Sequence, residues 1–274
     1  MLGYEGKKVL VVGGATGMGG AAAQAAVKLG AEVTVWDVKE VGFPVKEFAR
    51  VDLRQKSEVE AALGKVKAPV DALLCCAGVS DGMAGLPQIN WISQKLIVET
   101  LVARDAMPRG SAIGMISSIA GLAWRQLFPQ LREFLAVQDW DAQLSWIAAH
   151  KSDNPGTNAE GYTFLKRAMC AYVATQCFAL QTKGIRINSI LPGSTDTPLA
   201  RITGGWLEFA GDFRKQTGLK HIDPAEMGAA LLFLCSPMAS GVSGENLVTD
   251  QGYTTSVYVG ALEDPAGKFL LGIA

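Results

Sequence analysis

Short apolar runs recur along the chain, and segments with helical spacing separate them. The first run, Lys8–Val12, is continuously apolar after its lysine, which is typical of a strand buried on both faces. An alanine-rich helix is predicted at 20–29, where it stops at Gly30, and a second strand at Glu32–Asp37. This order predicts a βαβ unit at the start of the chain.

The alternation of strands and helices continues to the last fifty residues. The predicted elements are helix 59–66, strand 70–75, helix 89–107, strand Ala112–Ile116, helix 161–182, strand 185–191, helix Pro224–Cys235 and strand 246–250. Such alternation indicates a parallel sheet with helices on both faces, so we predict a doubly wound α/β fold of the Rossmann type. No repeat or Pro/Ser-rich linker divides the sequence, which favours one domain over residues 1–274.

Residues 122–160 interrupt this alternation, because they contain no plausible strand. Trp140 and Ile147 lie two helical turns apart behind Asp139, a predicted N-cap. We interpret the segment as a helical insertion. Most of its aromatic side chains are expected to pack within the insertion, whereas Trp124 is predicted to contact substrate.

Composition excludes several classes of partner. The 274 residues are 49% hydrophobic, and 25 basic against 26 acidic side chains give a net charge of −1, so we expect no nucleic-acid partner. The most apolar stretch, 168–182, is interrupted by two glutamines and is shorter than the ~20 residues that span a bilayer, so we expect no membrane partner. The first eight residues lack the apolar core of a signal peptide, and the five cysteines show no disulfide spacing, so a cytoplasmic protein is expected.

The cysteines and histidines also exclude some chemistries. The chain contains no Cys-x-x-Cys pair and only two histidines, so we predict no metal site. It has no Gly-x-Ser-x-Gly motif, which argues against a serine hydrolase.

A glycine-rich turn follows the first predicted strand. Gly13, Gly17 and Gly19 form G-x-x-x-G-x-G; a G-x-G-x-x-A motif that starts at Gly17 fits less well. Such a turn lets the backbone approach a pyrophosphate at a helix N-terminus. Asp37 stands 20 residues beyond Gly17, where a carboxylate binds ribose hydroxyls and repels a 2′-phosphate. NAD is therefore predicted over NADP, although the nearby Lys39 leaves mixed use open.

A second candidate site centres on Tyr162 and Lys166. Residues four apart share a helix face, and an ammonium beside a phenol lowers its pKa from ~10, as acid/base catalysis on an alcohol requires. Ser117 and Ser118 follow the strand Ala112–Ile116, at the sheet edge where active sites of parallel sheets form.

In this order the motifs resemble the short-chain dehydrogenase/reductase family along almost the whole chain. The matching pieces are the glycine turn, Asp52-Leu53, Cys76-Ala77-Gly78, Asn90, Ile116-Ser117-Ser118, Tyr162 with Lys166, Pro192-Gly193 and Asp250-Gln251-Gly252.

The resemblance implies roles for four residues. Tyr162 would be the general acid/base, Lys166 would lower its pKa and bind the nicotinamide ribose, and Ser118 would orient the substrate oxygen. Asn90 would hold a water in a proton relay. Ser117 is the alternative serine, but the second of the pair matches the family position.

The resemblance also implies a cofactor site along the glycine turn and three later strands. Asp52 and Leu53 would contact adenine, and Pro192 and Gly193 would lie at the nicotinamide. The full predicted set is Gly13, Thr16, Gly17, Met18, Gly19, Asp37, Asp52, Leu53, Cys76, Ala77, Gly78, Tyr162, Lys166, Pro192, Gly193, Thr195 and Thr197.

The chain departs from the family pattern in side chains and in spacing. Val12 stands where the family usually has Thr, Cys76 where it has Asn, and Gln251 where it often has Gly. Ser118 and Tyr162 are 44 residues apart, far more than in most members. A long insertion here resembles the bacterial 3α-hydroxysteroid dehydrogenase/carbonyl reductase subgroup and coniferyl-alcohol dehydrogenase-like enzymes, which act on bulky apolar alcohols and ketones.

The segment 194–222 is the expected substrate loop, with Leu199, Ile202 and Trp206 as predicted contacts besides Ser118 and Tyr162. The predicted activity is NAD-dependent interconversion of a bulky apolar, cyclic secondary alcohol and its ketone, such as a hydroxysteroid or monoterpenoid alcohol. The alternatives are an aryl or allylic alcohol dehydrogenase and a non-catalytic NAD sensor. A dehydratase or epimerase is disfavoured, because the dehydrogenase residues form a complete set.

Two features concern assembly. The tail 257–274 carries apolar residues that either cover the pocket or pack on another subunit. The resemblance implies a homodimer or homotetramer, but the insertion precedes the Tyr162 helix and is placed to obstruct one helix-mediated interface.

Overall fold

The computed structural model describes residues 2–67 and 69–273. In this part of the chain, seven strands form one parallel sheet in the order β3-β2-β1-β4-β5-β6-β7. They are β1 Lys8–Val12, β2 Glu32–Asp37, β3 Glu47–Arg50, β4 Ala72–Cys75, β5 Ala112–Ile116, β6 Arg186–Pro192 and β7 Asn246–Thr249. The strand order reverses between β1 and β4, which opens a crevice at the carboxyl ends of the strands. The predicted doubly wound α/β fold is confirmed.

Helices cover both faces of the sheet. They are α1 Gly17–Lys28, α2 Lys56–Lys65, α3 Ser93–Ala103, α4 Phe128–Ala136, α5 Trp140–Ala149, α6 Tyr162–Thr182, α7 Pro198–Ile202, α8 Gly211–Thr217, α9 Pro224–Cys235, α10 Tyr253–Tyr258 and α11 Pro265–Leu271. Alternate residues of β1 point to opposite faces, so Val9 and Val11 pack towards α1 and α9, and Leu10 and Val12 towards α2, α3 and α6.

The strand β3 is missing from the sequence prediction. It has only four residues, begins and ends with a charged side chain, and lies at the sheet edge with its faces half covered. An edge strand buries too little apolar surface to produce the continuous run that marks β1.

The predicted helix 89–107 is also wrong in its form. It is divided into a π-helical turn, Gln88–Ile92, and α3, and Asp105 takes a left-handed φ of 49° just after α3 ends. A π-helical turn inserts one residue into the helical repeat, which the spacing of apolar residues does not reveal. Such turns are frequent at functional sites, and this one carries Asn90.

The insertion 122–160 is helical, as predicted, and is built from a 3₁₀-helix at Ile119–Leu127 followed by α4 and α5. The Asp139 carboxylate caps α5 by accepting hydrogen bonds from the amides of Asp141 and Ala142.

Two side-chain bonds hold the insertion against the core. The buried Trp91 Nε1 donates to Gln143 Oε1 at 2.8 Å, and Lys95 Nζ donates to Gln138 Oε1 at 3.2 Å. The insertion therefore covers part of the outer surface of α3.

The segments 194–222 and 257–273 close the crevice. The first contains α7 and α8, and the second contains α11, which packs on the 3₁₀-helix of the insertion and is joined to it by a bond from Gln126 to the Gly272 carbonyl. Within residues 2–67 and 69–273, no helix is long and apolar enough to cross a membrane. The same residues contain no group of three His, Cys, Asp or Glu side chains that could hold a metal ion.

Candidate active site

A cavity of 1080 Å³ opens at the carboxyl ends of β1, β4, β5 and β6. Every residue of the predicted cofactor set lines it, as do Ser118, Leu199, Ile202 and Trp206. Two predicted site residues lie elsewhere: Asn90 is buried behind the wall, and Trp124 is buried in the core.

The backbone of the turn after β1 requires glycine at three positions. Gly13 has a φ of 79°, and a Cβ there would lie 2.5 Å from the Cα of Ala77. Gly17 has a φ of 58°, a region that side chains with a Cβ disfavour. A Cβ on Gly19 would overlap the Gly13 carbonyl oxygen. The turn thus brings the backbone against the cavity, as the G-x-x-x-G-x-G spacing predicts.

The helix α1 begins at this turn with its amides directed at the cavity end. Thr16 is the N-cap residue, but its side chain makes no capping bond, and the first turn of α1 carries no acidic residue. Uncapped amides at a helix N-terminus carry partial positive charge and suit a phosphate group. The site therefore fits the pyrophosphate of a dinucleotide.

Asp37 ends β2 at the same side of the cavity. One carboxylate oxygen accepts a hydrogen bond from the Ala15 amide at 2.9 Å, and the other accepts one from the Lys39 amide at 3.0 Å. These bonds fix the carboxylate beside the turn, and each oxygen keeps a lone pair for a ribose hydroxyl. Lys39 and Arg50 line the cavity at this end as well.

Asp52 is engaged in an ion pair that the sequence reading missed. Arg54 Nε donates to both Asp52 oxygens at 2.9 and 3.0 Å, and Arg54 lines the cavity. The guanidinium holds the pKa of the Asp52 carboxyl below its usual range. The two residues form one side of the end of the cavity that also contains Leu53.

Tyr162 and Lys166 lie on one face of α6, as their spacing predicts. Lys166 Nζ lies 5.4 Å from the centre of the Tyr162 ring and donates to the Ile116 carbonyl at 2.8 Å. Burial lowers the pKa of Lys166 to about 8. The expected lowering of the Tyr162 pKa by Lys166 is not what the structure shows: burial raises the pKa of Tyr162 to about 12, against a lowering contribution from a hydrogen bond with Ser118.

The two serines after β5 differ in their surroundings. Ser117 is buried, and its hydroxyl donates to the Lys166 carbonyl at 2.9 Å. Ser118 is partly exposed to the cavity, where its Oγ accepts a bond from the Ala120 amide at 3.2 Å and stands near the Tyr162 phenol. Both serines line the cavity, but the Ser117 hydroxyl is bonded to the backbone of α6, whereas Ser118 is partly exposed.

Asn90 lies behind the wall of the cavity and supports it through hydrogen bonds with Val79. Its Oδ1 accepts from the Val79 amide at 2.8 Å, and its Nδ2 donates to the Val79 carbonyl at 2.9 Å. A Cβ built on Gly78 would lie 3.8 Å from Asn90 Oδ1 and 3.9 Å from Lys166 Nζ, so both side chains approach that glycine. The proposed water relay stays a prediction.

Part of the remaining wall, beside Tyr162, is apolar. Trp206 packs on Tyr162, and Phe209 from the same loop and Leu270 from α11 complete the wall. Through Leu270, the C-terminal tail therefore contributes to the wall of the pocket. The prediction that Trp124 contacts substrate has no support, because its ring packs on Phe128 in the core, at 5.8 Å between centroids.

Known proteins share this architecture. A family model described as enoyl-(acyl carrier protein) reductase matches residues 138–254. The 3-alpha-hydroxysteroid dehydrogenase/carbonyl reductase of Comamonas testosteroni is 25% identical over 251 residues, which cover 89% of this chain and 95% of that protein.

Two solved structures have the same fold. One is the 3-alpha-hydroxysteroid dehydrogenase from Pseudomonas sp. B-0831 complexed with NADH, with a TM-score of 0.72 and 21% identity over 94% of this chain and all of the other. The other is BdcA in complex with NADPH, with a TM-score of 0.62 and 22% identity over 90% and 93% of the two chains. The two structures show that the chain shares their fold, and with the glycine turn and the Tyr162–Lys166 pair these likenesses support its resemblance to the short-chain dehydrogenase/reductase family.

Proposed function

We propose that this protein is an NAD-dependent oxidoreductase that interconverts a bulky, apolar, cyclic secondary alcohol and its ketone, such as a hydroxysteroid or a monoterpenoid alcohol. One observation carries the proposal. Ser118, Tyr162 and Lys166 meet at the wall of a cavity whose other end is a glycine turn at a helix N-terminus. A phenol that would transfer the proton and a turn that would hold the dinucleotide thus line one cavity.

The residues at the cradle fit a nicotinamide dinucleotide. The uncapped start of α1 and the close approach at Gly13 would take the pyrophosphate, and the fixed Asp37 carboxylate would take the ribose hydroxyls. Asp37 favours NAD, because its charge repels a 2′-phosphate. Lys39 and Arg50 at the same end would attract a 2′-phosphate. The choice between NAD and NADP is therefore measured directly in the test below. The bound nicotinamide would donate or accept the hydride.

The chain's own residues would carry the proton. In ketone reduction, the Tyr162 phenol gives its proton to the carbonyl oxygen while Ser118 donates a hydrogen bond to the same oxygen and orients it. The high pKa of Tyr162 keeps the phenol protonated at neutral pH, as this direction requires. In alcohol oxidation the phenolate accepts the hydroxyl proton, and the Lys166 ammonium stabilises that phenolate by charge.

The substrate class follows from the cavity wall. Leu199, Trp206, Phe209 and Leu270 present apolar surface near Tyr162, and burying such surface is worth about 25 cal/mol per Å². A substrate with an apolar ring system gains more binding free energy from contact with this wall than a phosphorylated or charged substrate does. Two of the proteins with which this chain shares sequence or fold carry names that refer to hydroxysteroids, which supports the same class.

The test is turnover by the purified protein. Steroid, monoterpenoid and aryl alcohols are offered with NAD⁺ or NADP⁺, and the formation of reduced nicotinamide is followed. We expect turnover of a cyclic alcohol with NAD⁺, a loss of at least about 10²-fold in Tyr162→Phe, and little change in Tyr258→Phe, whose ring is exposed.

Each alternative outcome has a definite meaning. A preference for aryl or allylic alcohols would replace the substrate class, and NADP⁺ preference would contradict the role of Asp37. Tight NAD⁺ binding without turnover on the whole panel would overturn the catalytic proposal in favour of a sensor. The expected homodimer or homotetramer stays a prediction that light scattering on the same sample checks.

A further inference from the structure

The start of α6 is held by a residue that lies 81 positions away in sequence. The N-cap of α6 is Gly161, which has no side chain to accept a bond from the first turn. Asp81, in the loop after β4, takes this place: its Oδ1 accepts a hydrogen bond from the Tyr162 amide at 2.8 Å. The amide of the proposed acid/base residue is thus bonded to a carboxylate on another element.

The loop that carries Asp81 is itself fixed by contacts with three other parts of the chain. Val79, two residues before Asp81, is held by its two hydrogen bonds with Asn90. The Ser80 hydroxyl accepts a bond from Thr203 of the substrate loop at 3.3 Å. Four residues after Asp81, a Cβ on Gly85 would lie 2.6 Å from the Cδ of Arg54. The aliphatic part of the arginine side chain therefore packs directly on this glycine. These contacts position the Asp81 carboxylate.

The charged and polar groups around the Tyr162 phenol come from three elements. Lys166 lies on α6 itself, but its ammonium donates to the Ile116 carbonyl. Ser118, after β5, stands near the phenol and lowers its pKa. Asp81, in the loop after β4, contributes negative charge that raises that pKa. Trp206, from the substrate loop, adds an uncharged ring. Asp81 therefore opposes the formation of phenolate.

We propose that Asp81 is a positioning residue for Tyr162, whose carboxylate fixes the first turn of α6 and, in addition to the burial of the ring, opposes ionisation of the phenol. The inference rests on the proposed function for its catalytic meaning. The effect of the charge on the phenol is a separate physical statement, and it is measurable without any substrate.

The first experiment follows ionisation of the phenol directly. The protein is labelled with ¹³Cζ-tyrosine and titrated by NMR from pH 9 to 12.5, and the Tyr162 resonance is assigned by its loss in Tyr162→Phe. In Asp81→Asn the amide side chain still caps α6 but carries no charge. We expect its phenol to ionise about 0.5 pH unit lower, which is about threefold more phenolate at a given pH. Because Asp81 is exposed, the shift should shrink in high salt.

The controls separate charge from structure. Asp153→Asn removes an exposed carboxylate from the segment before α6 and should leave the Tyr162 titration unchanged. Asp81→Ala removes both the cap and the charge; it should shift the titration as Asp81→Asn does and also lower the midpoint of thermal unfolding, which Asp81→Asn restores. An Asp81→Asn titration identical to that of the wild type would overturn the proposal and leave Asp81 as a cap only.

The second measurement connects the charge to catalysis. For an alcohol found in the turnover panel, the rising limb of kcat/KM against pH in the oxidative direction should move to lower pH by the same amount in Asp81→Asn. If the rising limb of kcat/KM lies at the same pH in the wild type and in Asp81→Asn, the catalytic part of the proposal is contradicted. If no alcohol is turned over, the proposed function fails, while the NMR titration still decides whether Asp81 holds the proton on Tyr162.

Discussion

The indole ring of Trp206 lies 5.0 Å from the phenol ring of Tyr162, with the two planes inclined by 56°. Trp206 belongs to the substrate loop, and the loop is held in this position from both sides. Ser194 donates to the Trp206 carbonyl at 2.9 Å, and Arg214 donates to the carbonyls of Leu207 and Phe209. The loop therefore places a large apolar surface directly beside the proposed proton donor.

Replacing Trp206 by alanine should weaken substrate binding. The indole supplies apolar surface next to the reacting group, and loss of a buried aromatic contact costs about 1.5 kcal/mol or more. We expect KM for a cyclic apolar alcohol to rise about tenfold in Trp206→Ala and less than threefold in Trp206→Phe, which keeps a ring. Steady-state kinetics measure this; an unchanged KM in the alanine variant would show that substrate lies elsewhere.

Replacing Asp37 by asparagine should change cofactor choice. The variant keeps an oxygen for the Ala15 amide but loses the charge that repels a 2′-phosphate, and Lys39 and Arg50 remain. We expect the NADP-to-NAD ratio of binding constants to rise about tenfold, as isothermal titration of both cofactors reports. Asp212→Asn, an exposed position on α8, is the control and should leave the ratio unchanged.

The fold was predictable wherever burial produced a continuous pattern. The strand β1 and the helix α6 carry long apolar signatures, because each is covered by protein along much of its length. The edge strand β3 and the π-helical turn at Asn90 left no such signature, since the first is half exposed and the second differs from a helix by one inserted residue.

The candidate site was predictable to the extent that it depends on short motifs. The glycine turn and the Tyr162–Lys166 spacing are local in sequence. Asp81 and Arg54 join the site through contacts across the fold, and their positions in sequence carry no signal of those contacts. The raised pKa of Tyr162 was missed for the same reason, because burial depends on the whole cavity wall.

Burial of Lys166 should be visible in the pH dependence of stability. Its pKa is about 8 in the folded protein and ~10.4 in an unfolded chain, so above pH 8 the unfolded state binds more protons than the folded state. Below pH 8 both states carry the charge, and the full cost of burying it is present. As pH rises from 8 to 10.4, that cost disappears, so the stability contributed by Lys166 increases.

The comparison with Lys166→Met isolates this effect, because the other titrating groups are common to both proteins. We compare the free energy of unfolding of the wild type with that of the variant. Between pH 8 and 10.4, this difference should change in favour of the wild type by about 3 kcal/mol at most. Urea unfolding at several pH values measures the difference. A difference that stays constant with pH would show that Lys166 titrates normally.

The bond between Trp91 and Gln143 should be important for holding the insertion on the π-helical turn that precedes α3. Both side chains are buried, and removing the amide in Gln143→Leu leaves the indole N–H without a partner. An unpaired buried donor costs about 1–3 kcal/mol, so the free energy of unfolding of the variant, measured by urea titration, should be lower by that amount. In Gln181→Leu, a substitution of the same type at an exposed position of α6, stability should change by less than about 0.5 kcal/mol.

Because Trp91→Phe removes the donor itself, the double variant Trp91→Phe/Gln143→Leu should lose less stability than the sum of the losses in the two single variants. Strict additivity would mean that the insertion is held by its apolar packing alone.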